Sequence, residues 1–206
     1  MSDSTQSTTL RGRLRELWGR FVGPEAGRLD HALTAVTTVA GAIAAAATTR
    51  NRGGSSVTST GSALLAADLV GGAYVNNSLA SARWYERPGQ GDREHLLFAA
   101  CHIHPAVVAW IDRGPPGRIP GSMWASAHYA YLMGATLAIR KLPRFRRPLG
   151  VALTVGGIVL DQSLEQSRLV PWFAWSYYPK LLMGHAGASL WSDHQLTSTS
   201  HTGPMS

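Results

Sequence analysis

The stretch HLLFAACHIHPAVVAWI, residues 95–111, decides the architecture. It has no Asp, Glu, Lys or Arg in 17 residues, yet it holds His95, His102, His104 and Pro105. A helix crossing the hydrocarbon layer, which is about 30 Å thick, needs roughly 20 mostly apolar residues. A helix with a water-facing side would carry charge on that side.

The same texture recurs on both sides of this stretch. Residues 32–49, 121–139 and 149–160 have no charge, residues 62–82 have only Asp68, and residues 169–191 have only Lys180. Ala, Gly, Leu, Val, Ser and Thr fill these runs, the small-residue composition that lets membrane helices approach closely. The 206-residue chain is 15% charged, well under the roughly 25% of soluble domains. The sequence therefore predicts an all-α fold, a polytopic membrane helix bundle with about six transmembrane helices. They fall near 31–49, 62–82, 95–112, 121–140, 148–164 and 169–191, within a bundle of residues 29–191. A basic segment, residues 1–28, precedes the bundle, and a polar tail, residues 192–206, follows it and is expected to be disordered.

Tryptophan and arginine placement point the same way. Trp84, Trp110, Trp124, Trp172, Trp175 and Trp191 fall near predicted helix ends, where indoles favour the headgroup zone. Counted by alternate connections, 13 Lys and Arg residues lie on one side and 5 on the other, with Lys180 inside a helix. The positive-inside rule then puts both termini in the cytoplasm of a multi-pass plasma-membrane protein. The net charge of +7 is read as topology signal and anionic-lipid contact. No basic stripe with interleaved stacking aromatics exists, so nucleic acid is not an expected partner. Leu10, Leu14, Leu17, Trp18 and Phe21 recur at helical spacing among arginines, the pattern of an interfacial amphipathic helix. Residues 32–49 also admit a second reading, a cleaved signal with Ala-x-Ala near Ala45, although the preceding tail is long for an n-region.

Polar groups inside such runs are costly and mark partners, cavities or sites. Asp68, Lys180 and Tyr178 are the candidate catalytic residues. His95, His102, His104, His128 and His185 are the candidate ligands of a transition metal or haem, because neutral imidazoles bind such ions well. Asn76, Asn77, Arg83, Trp84 and Tyr85 are candidate binding residues. By depth, Asp68, His104, His128 and Lys180 form an outer-to-central layer with Asp161 above it. Asn76, His95, His102 and His185 form an inner one. His102 and His104 are two apart, about 200° around an ideal helix, and would face opposite ways. Pro105 removes the hydrogen bond to the Cys101 carbonyl and bends the helix there.

Each signal has a structural counterpart: Asp68 pairing with Lys180, asparagines bonding across helices, and Arg83 with its aromatics marking a helix end. The single Cys101 excludes a disulfide framework. His-Glu-x-x-His, Cys-x-x-Cys, Walker and Gly-x-Ser-x-Gly motifs are absent. Three functions follow as expectations. The first is a metal- or haem-binding membrane enzyme acting on a lipophilic small molecule. The second is a proton- or ion-coupled transporter, which at this size would work as a homo-oligomer. The third is an assembly or scaffold protein whose polar groups are structural.

Overall fold

A computed structural model describes residues 12–13, 18–19, 21–113 and 119–198. Among the described residues the chain is all-α, with no strand. The elements are α1 (Arg28–Asn51), α2 (Ser56–Asn76), α3 (Leu79–Tyr85), α4 (Asp92–Cys101), α5 (His104–Ile111), α6 (Gly121–Lys141), α7 (Arg146–Ser163), α8 (Phe173–Tyr178) and α9 (Asp193–Thr197). A 3-10 turn, Pro143–Phe145, precedes α7, and α8 runs into a π-helical stretch, Pro179–Ala186.

Local chemistry sets the helix starts. Ser55 accepts the Thr58 N–H at 3.2 Å to open α2, and Ser78 accepts the Ser81 N–H at 3.2 Å to open α3. At α1 and α4 the third helical residue supplies the acceptor. Asp30 takes the Gly27 N–H, and Glu94 takes the Gly91 N–H, each at 2.9 Å. Such caps satisfy donors the helix leaves open.

Two helices are long and apolar enough, by length and composition, to cross a membrane: Arg28–Asn51 and the α4–α5 unit, Asp92–Ile111. The second, fourth and fifth predicted spans form helices that do not reach that hydropathy, and the sixth is too short, an α-helix Phe173–Tyr178 followed by a π-helical stretch Pro179–Ala186. α6 ends in Arg140 and Lys141, α7 begins with Arg146 and Arg147, and α2 is rich in Ser, Thr and Gly. The predicted second helix does not run unbroken to residue 82; it stops at Asn76 and restarts as α3.

The centre of the bundle is α8 with its π-helical continuation, packed on by α2, α4, α6 and α7. Phe173, Tyr177, Tyr178, Leu181 and Leu182 are buried there with Leu69 of α2 and Leu132 and Ile139 of α6. A helix covered on every side is a core helix. Glycines admit it: a Cβ at Gly157 would lie 2.6 Å from the Tyr178 ring, and one at Gly184 would lie 2.8 Å from the Asn76 backbone. Pro179 cannot donate a backbone hydrogen bond. Beyond it the turns widen, and Gly187 N–H reaches back five residues to the Leu182 carbonyl at 3.0 Å.

α1 leans on α2 through close contacts, with Gly71 against Thr38 and Gly41 against Val70. Its far side leaves Leu29, Val36, Val39 and Ile43 exposed. Two expectations are corrected here. Trp124 lies near a helix end, as expected, but is buried against the His128 ring, 4.0 Å away, rather than turned outward. Within the tail expected to be disordered, Asp193–Thr197 form α9, held by Arg146 to Asp193 and by Arg83 to the Gln195 carbonyl at 2.9 Å, while residues 199–206 lie outside the described residues. Most of the predicted interfacial helix lies outside the described residues; Arg13, Trp18, Phe21 and Val22 within it are helical.

Candidate functional site

The α4–α5 break builds the site. Pro105 has no N–H to give the Cys101 carbonyl, which takes the Ile103 N–H at 3.0 Å instead. The other freed carbonyls find side chains. Tyr177 O–H donates to the His102 carbonyl at 3.0 Å, and Tyr129 O–H donates to the Ala100 carbonyl at 2.9 Å. His102 Nδ1 donates to the Phe98 carbonyl at 2.6 Å.

That break overturns the prediction that His102 and His104 face opposite ways. Their ring centroids lie 5.1 Å apart. Asp68 of α2 meets them, with His104 Nε2 at 3.1 Å from its Oδ2. One ligand atom each of Asp68, His102 and His104 falls within 4.8 Å of the others. Lys180, buried on the π-helical stretch, donates to the same Asp68 oxygen. The Asp68 side chain is 39% exposed and that of Lys180 only 2%. The anion therefore faces outward and the ammonium inward, so the centre opens on one side. The Nδ1 bond to Phe98 fixes the His102 tautomer and leaves Nε2 with a lone pair, the outer-shell device that orients metal-bound histidines.

The remaining candidates gather in other places. His95 and His185 have ring centroids 4.6 Å apart, with His185 stacked on Phe98 at 3.7 Å and edge-on to Tyr85 at 4.3 Å. His95 Nε2 contacts the Tyr85 carbonyl at 3.2 Å. Both nitrogens of His185 lack hydrogen-bond partners among the described residues. His128 sits apart from both groups. Its Nδ1 is 2.6 Å from the Tyr178 hydroxyl, and its Nε2 is 3.5 Å from Asp161. The five histidines read as candidate ligands in two layers thus divide into His102 with His104, His95 with His185, and His128 alone. Tyr178 joins His128, not Asp68 and Lys180.

Asn76 and Asn77 bind backbone rather than an open site. Asn76 Nδ2 donates to the Lys180 carbonyl at 3.2 Å, and Asn77 Nδ2 donates to the Pro179 carbonyl at 3.0 Å. They cover carbonyls at the start of the widened turns. Arg83 donates to Glu25 at 2.9 Å, the Arg87 guanidinium lies 3.4 Å over the Trp84 ring, and Tyr85 lines the His185 cluster. The three consecutive residues therefore serve separate contacts. Sequence reading placed Tyr177 among the central polar groups without a site role and passed over Phe98; their contacts with His102 arise only when the break is folded. No family model matches the chain, and neither a curated protein nor a solved structure matches it.

Proposed function

We propose that this chain is a polytopic integral protein of the cell membrane, with about six crossings and both termini cytoplasmic. In this reading it holds one divalent transition-metal ion at Asp68, His102 and His104 and acts there on a lipophilic small molecule. The carrying observation is the convergence of those three ligand atoms within 4.8 Å. Two imidazoles and one carboxylate with open positions are the ligand set of non-haem iron oxygenases, and similar donors hold catalytic zinc. Donor atoms so close suit a single ion better than a haem. Lys180 supplies the positive charge beside Asp68 when no ion is bound, and Tyr177 holds the break in the shape that aims both imidazoles inward.

The distribution of apolar surface supports the membrane reading. Val151, Val155 and Val159 expose one face of α7, and Val36, Val39 and Ile43 one face of α1. Leu97 and Ile103 do so on the α4–α5 unit, while His128, Asp161 and Lys180 are buried. Apolar side chains outside and ionisable ones inside suit lipid as the solvent. Leu64, one turn before Asp68, is 70% exposed, and Ile103, between the two ligand histidines, is 60% exposed. An apolar rim around a half-exposed carboxylate favours a substrate that arrives from the bilayer.

Metal analysis and an absorbance spectrum of detergent-purified protein test the reading. One ion per chain is expected, lost on His102→Ala or His104→Ala with helicity retained. Protein that stays metal-free after exposure to iron, zinc and manganese overturns it. That result would favour the scaffold reading, which the Asp68–Lys180 ion pair supports because it already satisfies both charges.

A further inference from the structure

Asp161, His128 and Tyr178 meet between α6, α7 and α8, and each residue is fully buried, at 0% exposure. The Tyr178 hydroxyl and His128 Nδ1 are 2.6 Å apart. His128 Nε2 lies 3.5 Å from Asp161 Oδ1, too far for a hydrogen bond. Both Asp161 oxygens and His128 Nε2 lack hydrogen-bond partners among the described residues.

The remaining titratable neighbours bring no cation. From α6, Tyr131 gives its hydroxyl to the Leu153 carbonyl at 2.8 Å and presents its ring edge to Tyr178. From α8, Tyr177 is committed to the His102 carbonyl. Asp112, at the end of α5, is a like charge. It accepts the Arg168 and Leu169 N–H groups at 3.0 and 2.9 Å. Lys180 is held by Asp68. An isolated carboxylate in such surroundings costs many kcal/mol, and the ordinary escape is neutralisation. A neutral imidazole donates through one nitrogen and accepts through the other. It therefore matches a carboxylic acid on one side and a phenol on the other.

We propose that this triad is a proton-binding site, with Asp161 held as the neutral acid beside a neutral His128 and the Tyr178 phenol. Proton binding here does not depend on the metal centre. Among the described residues no hydrogen bond or ion pair joins Asp68, His102 or His104 to the triad, and the Tyr178 ring packs against that of Tyr177, which holds the His102 carbonyl. The site takes a proton in place of a metal because it offers one carboxylate and one imidazole, too few donors to close around an ion. An imidazolium–carboxylate pair is the competing charge state. It would need the additional hydrogen bonds that buried ion pairs require, and none reach these oxygens among the described residues.

Infrared spectroscopy of the metal-free, detergent-purified chain at neutral pH, in H2O and in D2O, tests this. A carboxylic-acid carbonyl band is expected, shifted in D2O and lost in Asp161→Asn with circular dichroism unchanged. If Asp161→Asn does not fold, Asp161→Glu must move the band. Absence of the band overturns the proposal, as does its survival in Asp161→Asn or an unmoved band in Asp161→Glu. Sodium-dependent stabilisation without the band also overturns it and makes the site a cation site. Metal content is read separately, so failure here leaves the proposed function standing, and the reverse holds.

Discussion

Two polar centres in this bundle use the same residue types and are solvated in opposite ways. At the α4–α5 break, Asp68 is half exposed, takes a hydrogen bond from the Lys180 ammonium and has two imidazoles beside it. Between α6, α7 and α8, Asp161 is sealed and faces one imidazole. An open centre with several donors can exchange one positive partner for another. A sealed centre with two ionisable groups must solve its charge problem internally. The difference comes from backbone: Pro105 opens one helix, whereas Gly157 lets Tyr178 close tightly over the other.

The largest expected effect breaks the open centre. Asp68→Ala leaves the Lys180 ammonium buried and alone, and removing one partner of a buried pair costs about 3–5 kcal/mol. Because Asp68 is partly exposed, about 3 kcal/mol is expected in detergent unfolding, with most of it recovered in the double variant Asp68→Ala/Lys180→Met. A single variant no less stable than wild type would show that the pair does not organise the core.

Next in size, Gly157→Ala drives a methyl group to within 2.6 Å of the Tyr178 ring. Overpacking of this kind costs about 1–3 kcal/mol. Gly72→Ala meets the Lys180 side chain, also at 2.6 Å. A flexible chain yields more readily than a packed ring, so Gly72→Ala should cost less. Unfolding midpoints of the two variants in that order sharpen the contrast, and the reverse order breaks it.

The smallest effect separates two neighbouring tyrosines. Tyr177→Phe removes one hydrogen bond to the His102 carbonyl, worth about 1 kcal/mol. It should also loosen metal binding about tenfold, the lower end of outer-shell losses. Tyr178→Phe should leave metal affinity unchanged. Titration of both variants with the same ion decides whether the two centres are independent.

Much of this was legible in the sequence because depth along a helix follows from counting residues. The charge-free runs located the helices, Pro105 located the break, and shared depth paired Asp68 with Lys180. Direction around the helix was harder to read. Ideal 100° steps placed His102 and His104 apart, and only the break brings them together. The same steps gave no sign that His128 turns toward Tyr178 and Asp161, because they give direction within one helix and these three residues stand on α6, α8 and α7. The asparagines read as binding residues cover carbonyls at those turns, a need that exists only once the turns have widened. Ser, Thr and His128 lower the mean hydropathy of α2 and α6, so charge-free runs that form helices there fall short of the level that α1 and the α4–α5 unit reach.

The widened segment Pro179–Ala186 takes up more chain per turn than an α-helix, without any loop. Deleting one residue there would change the winding and with it the bearing of Lys180 relative to His185. The ammonium under Asp68 and the ring over Phe98 both stand on this segment, so a change in its winding displaces at least one of them. Both inner clusters therefore depend on the same local irregularity in the central rod.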